Sequence, residues 1–241
     1  MKVAILIPTT TKKTECKSIK DTYLYKYMLP SFCETVNLSD IVFYIGYDYD
    51  DEIYKSEEQV NTLINKFKWD ECKSIDFKFI IYQNDIKKGH LSKMWNVLYE
   101  KAYEDGCDYF YQCGDDILFK TKGWLEDSIS ALSKNDDIGV SGPRNNNILI
   151  ITQALFSRKH MQIFGHLFPE EIINYYVDDW YNMVYSPRDI FILNNHLCIN
   201  NSGQNIRYDI SKNLWVFKEK TMESINILKK YKLGNNSIPI K

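Results

Sequence analysis

Several familiar signatures are missing from this 241-residue sequence, and each absence removes a class of function. None of the six cysteines (16, 33, 72, 107, 113 and 198) forms a C-x-x-C pair, so zinc knuckles and thioredoxin-like centres have no support. Cys107 and Cys113 lie beside or in a strand-like run, where a buried thiol is ordinary, and the usage points to a reducing compartment. No stretch approaches the ~20 apolar residues of a membrane span. The apolar run 3–7 is shorter than the core of a secretory signal, so cytoplasmic residence is expected. Neither charge sign dominates: 30 Lys and Arg stand against 32 Asp and Glu, a net charge of −2. No nucleic-acid partner is therefore expected. There is no internal repeat and no linker-like segment, so 1–241 reads as one domain. The abundance of Lys, Asn, Ile and Tyr fits an AT-rich genome, such as that of a large virus, with host cytoplasm as the location.

What is present alternates. "VAILI" (3–7), "DIVFYIGYD" (40–48), "FKFIIY" (77–82) and "DYFYQC" (108–113) read as buried strands. Helical patterns lie between them at 21–36, where Pro30 predicts a break, at 56–67, opened by Ser56 and Gln59 in capping-box spacing, and at 90–105. Helices are also predicted over 124–135 and 169–185, the second with Pro169 at its first position. The stretch after 211 shows no clear motif. The expected fold class is α/β: a mostly parallel, Rossmann-like sheet flanked by helices.

In such sheets ligands sit beyond the carboxyl ends of the strands, and three polar clusters fall there: Thr9–Thr11, Asp48–Asp51 and Asp115–Asp116. Gly114-Asp115-Asp116 alone is ordinary turn chemistry. After a buried strand, the same carboxylates suit Mn²⁺ or Mg²⁺, which bind few protein ligands together with substrate phosphates. Lys93, near the start of the 90–105 helix, is a candidate anion contact, and Asn96 follows on its polar side. In "YVDDWY", a helical wheel turns Asp178 away from the apolar face and sets Asp179 on its border. Partial desolvation there would raise the pKa of Asp179 into the range of a general base. His196 would matter only beside a metal.

In order and spacing these motifs resemble the GT-A fold of nucleotide-sugar-dependent glycosyltransferases over roughly 1–208. "VAILIPTTTKK" resembles the opening strand and its turn. "FYIGYDYDDE" resembles the second strand with its nucleoside-contacting acids, "CGDDILF" the DxD-type metal motif, and "VDDW" the acidic motif of inverting members. The resemblance implies a metal held by Asp116, Asp115 and His196, and a donor contacted by Thr9, Thr10, Asp48, Asp50, Lys93, Asn96 and Asp115. It implies base chemistry at Asp179 with Asp178 beside it. The implied donor is a UDP-sugar or GDP-sugar, and the acceptor is a glycan or a glycosylated protein. Residues 1–120 would form the donor half and 121–210 the acceptor half. Trp180 and Tyr181 would stack on sugar, and "GPRNNN" (142–147) would hydrogen-bond donor or acceptor. Gly114-Asp115-Asp116 departs from a clean Asp-x-Asp, which leaves Asp115 open between metal and ribose. A sugar nucleotidyltransferase fits less well, since "IPTTTKK" has no glycine-rich phosphate loop. The third reading is an inactive carbohydrate-binding protein of the same fold.

Overall fold

The first strand, β1 (Val3–Thr9), is apolar at almost every position because both of its faces are covered. Val3, Ile5 and Ile7 enter one hydrophobic core, while Ala4 and Leu6 enter the other. The computed structural model describes residues 1–71, 75–83, 85–147, 149–201 and 207–234. After β1, a π-helical turn (Leu24–Met28) runs into α1 (Leu29–Thr35). Pro30 stands in the first turn of α1, so the expected break takes the form of a π-to-α switch. Next come β2 (Ile41–Asp48), α2 (Glu52–Lys55), α3 (Glu57–Ile64), β3 (Ile75–Tyr82), α4 (Leu91–Glu104) and β4 (Tyr109–Gln112). The second half holds β5 (Ile117–Phe119), α5 (Trp124–Ser133), β6 (Val140–Arg144) and β7 (Ala154–Ser157). It continues through α6 (Arg158–Phe164), α7 (Val177–Tyr185), β8 (Ile190–Asn200) and α8 (Leu214–Lys232).

The strands form one sheet in the order β3-β2-β1-β4-β7-β6-β8-β5. β3, β2, β1 and β4 run parallel. β7 pairs antiparallel with both β4 and β6, β6 runs parallel to β8, and β5 is antiparallel to β8. The expected α/β class with a mostly parallel sheet is what the chain adopts. From β1 the chain proceeds through β2 to β3 on one side, and β4 lies on the other. The gap between β1 and β4 is thus the topological switch point, where an open sheet leaves a crevice at its carboxyl ends.

Two elements differ from expectation. The helix predicted from Pro169 begins only at Val177. The preceding segment is pinned in turns by side-chain bonds: Asn96 bonds the backbone of Leu167 and Phe168, and the segment's own Asn174 donates to the carbonyls of Gly89 and Asp209. The stretch after 211 carries α8, a nineteen-residue helix that its sequence does not announce. Its inward positions are Phe217, Thr221, Ser224 and Leu228, so two of the four are hydroxyl residues and the apolar period is hidden.

Candidate active site

A cleft of about 850 Å³ opens at the carboxyl ends of β1, β2 and β4. Thr9 and Thr10 from β1 and its loop, Asp48 from β2, and Asp115 and Asp116 after β4 all line it. Asp178 and Asp179, from the first turn of α7, line it as well. Seven of the residues singled out in the sequence therefore meet in one place, although they are spread over 170 positions.

Local bonding explains each position. Asp51 is fully buried and caps α2 by accepting from the amides of Ile53 and Tyr54. It also accepts from the Thr11 amide (2.6 Å) and hydroxyl (2.9 Å), which ties the loop after β1 to the loop after β2. Asp48, one turn earlier, faces the cleft and accepts from the Thr10 hydroxyl at 3.2 Å. Burial raises the pKa of Asp48, and the Thr10 bond and Lys88 pull it back. Asp50 points outward to Lys88 (2.6 Å) and Lys12 (3.6 Å), and the Lys88 bond holds its carboxyl below the ordinary range. Gly114 leaves room for the next acid but one: a Cβ there would stand 2.6 Å from Asp116 Oδ1, so that carboxylate would have to shift.

Asp115 accepts three hydrogen bonds. Its Oδ2 accepts from the Thr9 hydroxyl at 2.6 Å and from Arg207 Nη1 at 2.8 Å, and its Oδ1 accepts from Arg207 Nη2. Arg207 also donates to the carbonyl of Thr10 at 3.0 Å, and its guanidinium lies 5.7 Å from the centre of the Tyr23 ring. Arg207 lies within the "NNSGQNIRY" segment, but nothing in that segment's pattern marks it as the partner of an acid 92 positions earlier.

Several expected site residues are elsewhere. His196 joins no carboxylate at the strand ends: its Nε2 bonds Asp127 at 2.8 Å and its Nδ1 bonds Thr121 at 3.2 Å. Lys93 does not line the cleft and lies 3.9 Å from Asp85. The anion position expected at the start of α4 is occupied by protein, because the carbonyl of Ile173 accepts from the Ser92 amide at 3.2 Å. Lys88, the better cleft-facing lysine, sits in the loop before α4. Asn96 is 3% exposed and serves the Leu167–Phe168 backbone instead of the donor cleft. Trp180 and Tyr181 are fully buried, with their polar atoms bonded to Ser224 and to the Ile151 carbonyl, so neither can stack on a sugar. Of "GPRNNN", Asn147 reaches the cleft.

Asp178 does not turn to water as the helical wheel expects. The wheel assumed water opposite the apolar face of α7, but the cleft wall stands there. Asp178 lines that wall, and burial first, then the charge of Asp179, pushes its carboxyl up to about 8. The sign of the consequence follows. Between about pH 4 and pH 8 the folded protein holds a proton there that the unfolded chain releases, so Asp178 lowers stability progressively as pH rises through that window. Asp178 retains some exposure, so the full shift is discounted for solvent. Asp178→Asn is expected to stabilise by on the order of 2 kcal/mol at pH 8 and by almost nothing at pH 4. Urea unfolding at the two pH values measures this, and an equal effect at both would refute it.

A metal has a narrower place here than the sequence implies. With Asp115 engaged by Thr9 and Arg207 and His196 engaged by Asp127, the three-ligand set does not assemble. Among the described residues no group of three or more His, Cys, Asp or Glu side chains is positioned to hold an ion. Of the three expected ligands Asp116 lines the cleft, and a carboxylate there completed by water and ligand phosphates is a pattern Mg²⁺ and Mn²⁺ accept.

The sheet order and the crevice at its switch point define the class as a Rossmann-like α/β fold, the fold it shares with the TarS 1–349 structure. Among solved structures it is similar to S. aureus TarS. The TarS 1–349 fragment in complex with UDP-GlcNAc matches with TM-score 0.56 and 15% identity, over 94% of this chain and 66% of that one. The same fragment in complex with UDP gives TM-score 0.54 and 14% identity over 94% and 65% of the two chains. A longer TarS structure gives TM-score 0.53 and 14% identity, covering 82% of this chain but only 36% of that chain. The chain thus spans about a third of the longer TarS chain. No family model and no curated protein matches the sequence.

Proposed function

We propose that the protein is a glycosyltransferase that moves a sugar from a nucleoside-diphosphate donor, a UDP-sugar, to a hydroxyl of a glycan or protein-linked sugar. The observation that carries this reading is the convergence of carboxylates from β2, β4 and the start of α7 in one cleft at the carboxyl ends of the parallel strands. The TarS complexes with UDP and UDP-GlcNAc support the choice of donor.

In this reading Thr10 and Asp48 hold the nucleoside end, and Asp115 and Asp116 stand at the diphosphate end. A divalent ion held by Asp116 would neutralise charge on the departing diphosphate. The acceptor hydroxyl attacks the anomeric carbon from the face opposite the donor phosphate. The new C–O bond forms as the old one breaks, the nucleoside diphosphate leaves with the electron pair, and Asp179 takes the acceptor proton. Asp178 lies beside it on the cleft wall, its carboxyl pushed up to about 8 by burial and by the charge of Asp179. Attack from the opposite face inverts the anomeric configuration, as in inverting glycosidases.

The test is a panel of nucleotide sugars with Mn²⁺ present, followed by release of nucleoside diphosphate. Slow hydrolysis of one UDP-sugar, lost in Asp116→Ala, is the expected result. Pyrophosphate release from a nucleoside triphosphate and a sugar phosphate would mark a nucleotidyltransferase. Donor binding without turnover would mark an inactive sugar-binding protein.

A further inference from the structure

We propose that the outer face of α8 docks on an anionic lipid bilayer, with the helix lying in the plane of the headgroups. The docking is independent of the nucleotide-sugar reading of the cleft.

Among the described residues, six of the thirteen large apolar side chains that stand exposed fall within 210–233, a tenth of the chain. Single exposures are ordinary, but a concentration of them marks a surface that meets something. α8 turns them away from its core contacts. Phe217, Thr221, Ser224 and Leu228 face inward. Trp215, Lys218, Met222 and Lys229 follow one another at helical spacings of three, four and seven, so they form one stripe on the outer face. Trp215 is 76% exposed and Met222 57%, and Leu233, just past the helix, is 77% exposed.

Charge points to the same partner. The chain carries −2, yet residues 212–233 hold six lysines against two glutamates. That +4 leaves −6 for the remainder, so α8 is a basic surface on an acidic body. Some of this charge is spent inside the fold: Lys220 pairs with Glu171 and Glu223, and Lys232 with Asp189. Lys218, Lys229 and Lys230 stay exposed, with Glu219 the acid among them. An indole and a thioether set between lysines suit a helix lying in a membrane interface. The apolar groups enter the headgroup–acyl boundary, and the ammonium groups meet anionic headgroups. A nucleic acid would pair the lysines but leave Met222 and Leu233 in water. Among the described residues no helix is long and apolar enough to cross a membrane, so the contact is peripheral.

The fold sets this face beside the cleft. α8 packs on α7 through Tyr176 on Phe217, ring centres 4.7 Å apart, and through the Trp180 bond to Ser224 at 3.2 Å. Just before α8, Tyr208 and Asp209 line the cleft, and Lys212 lies 4.2 Å from the ring centre of Tyr175, another lining residue. On the sugar-transfer reading, an acceptor carried by the membrane would reach the cleft from this side.

The experiment is co-sedimentation of the full chain with vesicles of phosphatidylcholine alone and of phosphatidylcholine with about 30% phosphatidylserine, together with Trp fluorescence. No nucleotide is present, so the outcome does not depend on the transferase reading. The parent is expected to bind the anionic vesicles with a blue shift, and the neutral ones far more weakly. Trp215→Ala should weaken binding roughly 10-fold and abolish the blue shift. The triple variant Lys218→Gln/Lys229→Gln/Lys230→Gln should lose about 100-fold, at about 5-fold per lysine, and about 0.5 M NaCl should act on the parent in the same direction. All four side chains are exposed, so their loss leaves the core untouched; Ile81→Ser, at an exposed position of β3, is the control and should bind as the parent does. A parent that stays in solution with anionic vesicles would overturn the proposal. So would binding that Trp215→Ala and the triple variant leave unmoved, or that Ile81→Ser weakens equally. Binding to a short nucleic-acid duplex without binding to vesicles would overturn it in favour of a polyanion. A dimer that Trp215→Ala dissolves, again without vesicle binding, would give the face to a second copy of the chain.

Discussion

Asp179→Asn is expected to lower kcat by roughly 10²–10⁴-fold while UDP affinity stays at the parent value. The amide keeps the size and hydrogen-bonding shape of the carboxylate but cannot accept a proton from an attacking hydroxyl. Asp179 is suited to the role by position: it stands in the first turn of α7, on the cleft wall. Donor release assayed with saturating acceptor, alongside UDP titration, separates the chemical step from binding. If Asp178→Asn collapses kcat while Asp179→Asn leaves it intact, the proton passes to Asp178. If neither variant loses activity, base catalysis from α7 is ruled out.

The second large effect concerns stability. Asn96→Ala is expected to destabilise the fold by about 3 kcal/mol, because it removes three bonds to buried backbone groups at once. The Asn96 side chain donates to the Phe168 carbonyl at 2.8 Å and accepts from the Leu167 and Phe168 amides at 3.1 and 2.9 Å. Leu167 and Phe168 are both fully buried. Phe168 is itself a core residue, packed on Trp95, Phe156 and Tyr181. For a chain of this length the loss corresponds to a Tm lower by roughly 6–12 °C. Thermal unfolding reads the loss, and UDP titration of the folded protein should match the parent. An unchanged Tm with weakened UDP binding would return Asn96 to the donor site that its sequence context suggests.

The legible part of the protein is the part whose signal is local. β1 and β2 are continuous apolar runs because helices cover both sides, and each ends in polar residues because the strand ends leave the core. Asp115 and Asp116 could be found because two acids after a buried strand are costly to bury without a use. α8 could not be found from its period, since Thr221 and Ser224 stand where leucines would announce it.

The roles within the cleft depend on partners far away in the chain. The sequence by itself determined the alternation of strands and helices, the parallel sheet and the carboxylates at its ends, because burial and turn chemistry are written into short windows. Only the tertiary structure decided that Arg207 sits on Asp115, that His196 belongs to Asp127, that Ile173 fills the start of α4, and that Asp178 faces the cleft wall. Each of those outcomes depends on which group fills the space opposite a side chain. That neighbour is fixed by how distant segments pack and solvate one another, which no local window contains.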